Sequence, residues 1–278
     1  MQRDQTTQLN WWKERIGDRL LSDITPALIA EHRDLLLKEI GPKKKKRSPS
    51  SVINYMAALS HVFTIAIREW EWLEDSPIRN VRKPKRPRGR VRFLDKEERE
   101  QFLEVCKASH NSALYPVVVL ALSTGARRME IMNLTWGDID FIRKRAIIHE
   151  TKNDERRAIR LGEPVFKVIG EIQKVRRIDT NLLFPDETGR KPIDLRRAWD
   201  KAIKEVGIED FRFHDLRHSA ASYLAMEGAS LAEISAVLGV KKTSELIPLC
   251  HPLPIDHTAT KIIMNEVDNS LEVFCVVS

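Results

Sequence analysis

The sequence predicts a mainly helical chain of two domains, the second carrying a small antiparallel sheet. Three observations lead there. Over the first 80 residues, apolar side chains recur at helical spacing behind helix-starting caps. From 75 to 92 the chain is rich in Pro and basic residues and has no apolar period. After about residue 140 the pattern changes to short β-compatible segments around a polar turn, and then helices resume. A length of 278 residues suffices for one large or two ordinary domains, and 31% charged with 42% hydrophobic residues excludes a disordered chain.

The elements follow in order. Thr25 before Pro26 starts a helix over PALIAEHRDLLLKEI that Gly41 ends, and Ser48 before Pro49 opens the next in the same way. In that second helix Val52, Met56, Leu59, Phe63 and Ile67 form one stripe at spacings of three or four, which predicts a helical domain over 1–80. The basic stretch 81–92 is the expected linker, and 93–240 the second domain. Asp95 caps a helix with Glu98 at its third position. Helices are expected at 113–123 and 127–134, then a hairpin of 145–150 with 156–161 around Lys152-Asn153-Asp154, then helices at 163–176, 192–206, 215–227 and 230–238.

Composition narrows the function classes. The longest nearly uninterrupted apolar run, 113–122, is half of a bilayer crossing, and MQRDQTTQ has no apolar signal core, so a cytoplasmic protein without a membrane span is expected. Cys106, Cys250 and Cys275 lack CxxC spacing, so neither a disulfide framework nor a metal site is expected. The net charge of +7 is local. Lys43, Lys44, Lys45, Lys46 and Arg47 form one basic run; Arg82, Lys83, Lys85, Arg86, Arg88, Arg90 and Arg92 form another. These hold 12 of the 47 Lys and Arg and no acid, leaving 35 bases against 40 acids elsewhere. Two solvated loops would give the same pattern, but a polyanion is the natural partner, because each phosphate neutralised releases a counterion. Double-stranded DNA is therefore the expected partner, with no cofactor.

Three segments, LSTGARRMEIMNLTWGDID (122–140), ETKNDERRAIRL (150–161) and FHDLRHSAASYLAMEGASLAEISAVLG (213–239), resemble the catalytic domain of the tyrosine recombinases, the phage integrase family. The region up to about 80, ending in REWEWLEDSPIRNVRKPK, is similar to that family's core-binding domain. The resemblance covers roughly 5–239 in the expected order. It implies a SAM-like helical core-binding bundle joined to an α+β catalytic domain, closing as a clamp on DNA, assembling as a homotetramer on a recombination site, and breaking and rejoining strands.

The chemistry asks for such residues independently. Attack on a phosphodiester builds negative charge on its oxygens, which planar guanidinium groups clamp through paired hydrogen bonds. Arg127 and Arg217 match the family's two arginines; Arg128 adjoins, but the TGxR register selects Arg127. Lys152 at the hairpin turn matches the lysine that protonates the leaving oxygen, although turn lysines are ordinarily only solvated. His214 matches the motif histidine, three residues before Arg217 and on the same face if the segment is helical. His218 is expected to pack or hydrogen-bond locally, and Glu130 to orient an arginine.

The ending departs from the family. Val240 stands where a second His or Trp is usual, and Leu249 falls at about the position of the nucleophilic tyrosine. The tyrosines are Tyr55, Tyr115 and Tyr223, and Tyr223 reads as a core residue. Without the nucleophile no phosphotyrosyl intermediate is expected from this chain. From about 241, KKTSELIPLCHPLPI resembles cyclic pyranopterin monophosphate synthase, the molybdenum-cofactor accessory protein C family, with Leu249, Cys250 and His251 matching its pterin-contacting LCHP stretch. The catalytic part of that family would lie beyond Ser278, so pterin chemistry is not expected. Segments 258–267 and 271–277 read as a terminal hairpin, and Cys250, His251 and His257 make too small a set for zinc. Two function classes compete: a site-specific recombinase whose tyrosine comes from an intact recombinase subunit, and a DNA-binding protein without catalysis. A pterin-binding fragment is a remote third.

Overall fold

The computed structural model describes residues 2–41, 44–86, 92–149 and 156–240. The expected turn at Lys152 and everything from 241 on, including Leu249, Cys250, His251, His257 and the terminal hairpin, lie outside them. The chain divides into two compact units, Met1–Gly89 and Arg90–Ser278.

The first unit is built on helices α1 (Gln2–Ile16), α2 (Pro26–Lys38) and α3 (Pro49–Arg68), with short 3-10 turns at Leu21–Asp23 and Pro77–Asn80. Both expected starts are present. Thr25 Oγ1 accepts the Leu28 N–H at 3.2 Å and Ser48 Oγ the Ser51 N–H at 3.2 Å, each with Pro at the first helical position, where its missing N–H costs nothing. Val52, Met56, Leu59 and Phe63 are buried as the stripe requires, whereas Ala66 takes its last place and Ile67 is half-buried. Against the stripe pack Ile29 and Leu36 of α2 and Trp11 and Trp12 of α1. The Trp12 indole N–H donates to the Tyr55 carbonyl at 2.8 Å, so its burial leaves no polar atom stranded. Helix α3 is long and apolar enough to cross a membrane by length and composition, with mean hydropathy 1.4, a feature that Ser and His residues within it hid from a search for unbroken apolar runs. Here its apolar face forms the core of the unit.

The second unit comprises α4 (Lys96–Lys107), α5 (Leu114–Thr124), α6 (Arg128–Met132), β1 (Ile139–Asp140), β2 (Arg145–His149), β3 (Arg156–Arg160), α7 (Glu163–Lys174), α8 (Arg196–Val206), α9 (Asp215–Met226) and α10 (Leu231–Leu238). Helix α5 is apolar almost all round and is accordingly the centre of the core, packed by α4, α7 and α9. The sheet is antiparallel in the order β1-β2-β3. Strand β1 is two residues long, too short to show an alternating pattern in the sequence. The expected helix 192–206 begins only at Arg196, because the preceding residues are drawn into a bridge between Pro185 and Pro192 and a bond from Ile193 N–H to the Phe184 carbonyl at 3.0 Å. The expected helix 127–134 shrinks to five residues, with Arg127 extended in front of it. The capping box at Asp95 and Glu98 is present in both directions.

Candidate active site

Helix α5 ends at Gly125, whose φ of +58° is the left-handed cap that glycine adopts at little cost. The glycine is also needed for space: a Cβ there would lie 2.1 Å from Leu238 Cδ2 of α10. The Thr124 hydroxyl steadies the turn, donating to the Leu120 carbonyl at 2.6 Å and accepting the Ala126 N–H at 3.2 Å. The carbonyl of Gly125 accepts Nη1 of the buried Arg217 from α9 at 2.7 Å. Arg217 is thereby held two residues from Arg127.

Arg127 precedes α6 with its side chain about half exposed. Glu130, buried one turn later, accepts the Arg127 Nη1 at 2.6 Å on Oε1 and the Arg127 backbone N–H at 2.9 Å on Oε2. It accepts a third donor, Nη2 of Arg157 on β3, at 2.9 Å. Burial pushes the Glu130 carboxyl upward, but the Arg127 bonds and the charges of Arg157 and Arg127 outweigh it and hold the pKa below its ordinary value. The expected orienting role of Glu130 has this geometry, and the adjoining Arg128 is exposed at the first position of α6.

His214 sits at the N-terminal cap of α9, and its ring meets that of His218 edge to face at 5.5 Å between centroids. Desolvation, then the positive charge of Arg217, and further off that of Arg127, lower the His214 pKa against an opposing pull from Asp215. Both arginines thus favour the neutral form of the imidazole. Asp215 fixes the start of α9, accepting the Arg212 N–H at 2.8 Å. Arg127, Glu130, His214 and Arg217 thus converge from the α5–α6 turn and the start of α9, and Arg157 joins them from the sheet. Val240, expected at the family's second His or Trp position, is buried beyond α10, its N–H on the Ser235 carbonyl at 3.0 Å.

Arg157 was not singled out in the sequence, though a signal exists. Residues 157, 159 and 161 share one face of a strand, and Ile159 and Leu161 are buried, so Arg157 is a charge aimed inward that needs an acid.

The two basic clusters are not uniform. Lys44, Lys45 and Lys46 are exposed on a tight turn closed by a Gly41 N–H to Lys45 carbonyl bond at 2.8 Å, and Arg82, Lys83, Lys85 and Arg86 are exposed too. Arg47 instead pairs with Glu39 at 2.6 Å over the Tyr55 ring, and Arg92 pairs with Glu98 through both its Nη atoms over Phe211. Both arginines hold local structure. Lys43, Arg88, Arg90 and Lys152 lie outside the described residues. Cys106 is buried and its thiol pushed up to about 12 by desolvation, which makes it an inert core residue. No His, Cys, Asp or Glu group that could hold a metal occurs among the described residues.

Comparison with known proteins adds the family. The profile described as "Phage integrase family" matches residues 92–247. The integrase of Salmonella phage P22 is 30% identical over 284 residues, covering 90% of this chain and 72% of that protein. A shufflon-specific DNA recombinase of Escherichia coli is 33% identical over 238 residues, covering 85% of this chain and 60% of that protein. Among solved structures, XerH recombinase bound to a palindromic difH substrate shares the fold with TM-score 0.74 at 19% identity, over 89% of this chain and 75% of that one. A lambda integrase dimer bound to a COC′ core site does so with TM-score 0.72 at 19% identity, over 91% and 89%. With the profile running over more than half of its length and a phage integrase alike along nine tenths of it, the chain belongs to the phage integrase family of tyrosine-type site-specific recombinases.

Proposed function

We propose that the chain binds double-stranded DNA at a recombination site and contributes Arg127, Lys152, His214 and Arg217 to strand exchange on a phosphodiester. The observation that carries this is the pair of arginines held at one turn, Arg217 by the Gly125 carbonyl and Arg127 by Glu130, with His214 at the cap of the helix that carries Arg217. Two fixed guanidinium groups stabilise the charge that develops on the non-bridging oxygens, and they need not reorganise as it forms. Lys152 donates the proton to the leaving oxygen, and His214 bonds to phosphate or relays a proton. Lys43 to Lys46 and the linker residues Arg82, Lys83, Lys85, Arg86, Arg88 and Arg90 neutralise backbone phosphates. Such a partner places the protein in the cytoplasm. Lambda integrase forms a tetramer on a Holliday junction, and a homotetramer on DNA is the assembly we assign to this chain.

The nucleophile comes from elsewhere in this reading. Tyr223 is the last tyrosine of the sequence, its pKa is pushed up to about 12 by burial, and its hydroxyl donates to the Leu94 carbonyl at 2.8 Å. A neighbouring intact recombinase supplies the tyrosine. From about 241 the chain is read as a segment borrowed from a cyclic pyranopterin monophosphate synthase gene, the trace of an insertion or fusion. The nucleotides that follow codon 278 test this: synthase sequence in the same frame supports fusion, a recombinase ending in another frame supports frameshift, and neither refutes the borrowing. The second reading, DNA binding without catalysis, is favoured by the same missing tyrosine.

A nicked suicide substrate separates the two. Cleavage only when an intact recombinase is mixed in supports complementation. Binding with no cleavage in either case supports the second reading. Covalent attachment of DNA to this chain alone would overturn the assignment of the tyrosine to a partner.

A further inference from the structure

We propose that Arg157 is a positioning residue for phosphate binding, acting through Glu130 on Arg127. This rests on the phosphate reading of the site. Arg127 has its side chain 46% exposed, so packing alone does not fix the direction in which its guanidinium points. Its orientation comes from Glu130, whose side chain is 3% exposed and whose Oε1 holds Nη1. That carboxylate is itself free to turn about its terminal torsion, which is a broad and shallow one. What fixes it is the occupancy of the other oxygen: Oε2 takes the Arg127 backbone N–H from one side and Arg157 Nη2, on a side chain 12% exposed, from the other. Arg157 also offsets the desolvation of a buried carboxylate, for which one half-exposed arginine is a poor counter-charge. Removing Arg157 leaves Glu130 less firmly ionised and able to rotate, and the Arg127 guanidinium loses its fixed direction.

The arrangement has a mechanical side. Arg157 lies on β3, opposite Ile148 of β2, so the Glu130 carboxylate adds a polar link between the sheet and α6 to their shared apolar packing. The sheet strand that follows the Lys152 segment in sequence and the turn that carries Arg127 are then registered to one another.

The test uses the full chain and inorganic phosphate as probe. Its binding is followed by the NMR shift of the His214 imidazole, and the Glu130 side-chain carboxyl is titrated in parallel. R157Q is expected to raise the Glu130 midpoint and to weaken phosphate about fivefold, a typical coupling within one charged network. R127Q is expected to weaken it as well, and R157Q added to R127Q to cost nothing further. A residue that merely supports the fold would instead add its effect in both backgrounds, and that additivity would overturn the proposal. R157K keeps the charge and is expected to hold the Glu130 midpoint low and the affinity within about twofold of the parent; it serves as well should R157Q not fold. R157K binding as weakly as R157Q with Glu130 still ionised would also overturn it. If R127Q leaves phosphate binding unchanged, the phosphate reading of the site falls and takes the proposal with it; if only the R157 variants have no effect, the proposal alone falls.

Discussion

Gly125 is the residue on which most of the site geometry depends. Its left-handed φ and the nearness of Leu238 mean that G125A combines a backbone penalty with an overpacked contact. The expected loss is about 2 to 4 kcal/mol in urea unfolding, and trimming Leu238 to Ala in the same chain should recover the contact part only. His214 makes the second prediction at this scale. Its pKa is lowered first by desolvation and then by the charge of Arg217; an anion bound between the arginines offsets the second cause and is expected to raise it, and imidazole titration with and without inorganic phosphate checks the sign. The main residues were legible because the motif chemistry names them at short range: Arg127 lies three residues from Glu130, and His214 three from Arg217. For Arg157 the sequence marks only an inward-facing charge and not its partner, because Glu130 is 27 residues away and only the sheet brings the two together.

At the scale of elements, the join between α4 and α9 is held by backbone atoms. The Leu94 N–H donates to Ser219 Oγ at 3.0 Å and its carbonyl accepts the Tyr223 hydroxyl at 2.8 Å, so α9 grips both polar groups of the residue before the Asp95 cap. Y223F is expected to cost about 1 kcal/mol, and S219A about 1 to 3 kcal/mol because it strands a buried N–H. Both should lower the thermal midpoint. In the mixed suicide-substrate assay Y223F should leave cleavage intact, since its hydroxyl is a structural donor. Helices announced by a capping side chain were readable: Thr25, Ser48 and Asp95 each carry their own signal. Elements set by distant partners were not. Strand β1 exists because Ile139 and Asp140 pair with Ala146 and Arg145, and α8 starts late because its approach is bound to residues near Phe184.

For the whole molecule the charges act in two ways. Exposed cations of the linker govern salt dependence, and each phosphate contact contributes about 0.9 to the slope of log K against log salt. Neutralising Arg82, Lys83, Lys85 and Arg86 together should flatten that slope by up to about 3.6 on any duplex, whereas R92Q, which breaks the pair with Glu98, should lower stability and leave the slope nearly unchanged. An unaltered slope in the fourfold variant would show that these residues do not touch phosphate. Paired carboxylates govern acid stability. Burial opposes ionisation of Glu39 and Glu130, but hydrogen bonds and charge prevail, while for Glu98 the Arg92 bond leads; all three are lowered below 4.5. Their stabilisation is complete above that value and is lost as pH falls through the folded pKa. The lowered His214 acts in the same direction below 6.5, because the unfolded chain takes up the proton first. The urea midpoint should therefore fall first below about pH 6.5, where His214 acts, and again below about pH 4.5, where the paired carboxylates are lost.

The closure of the chain on itself at Val240 has a practical corollary. The Val240 N–H and carbonyl are both tied to Ser235, and Leu238 two residues earlier is wedged against the Gly125 turn. Residue 240 is thus a rigid mooring, and whatever is tethered after it starts its reach from the corner that Arg217 grips. A cross-linker or fluorophore installed there, or a tyrosine grafted on linkers of graded length, becomes a ruler for how far a nucleophile must travel to meet the phosphate.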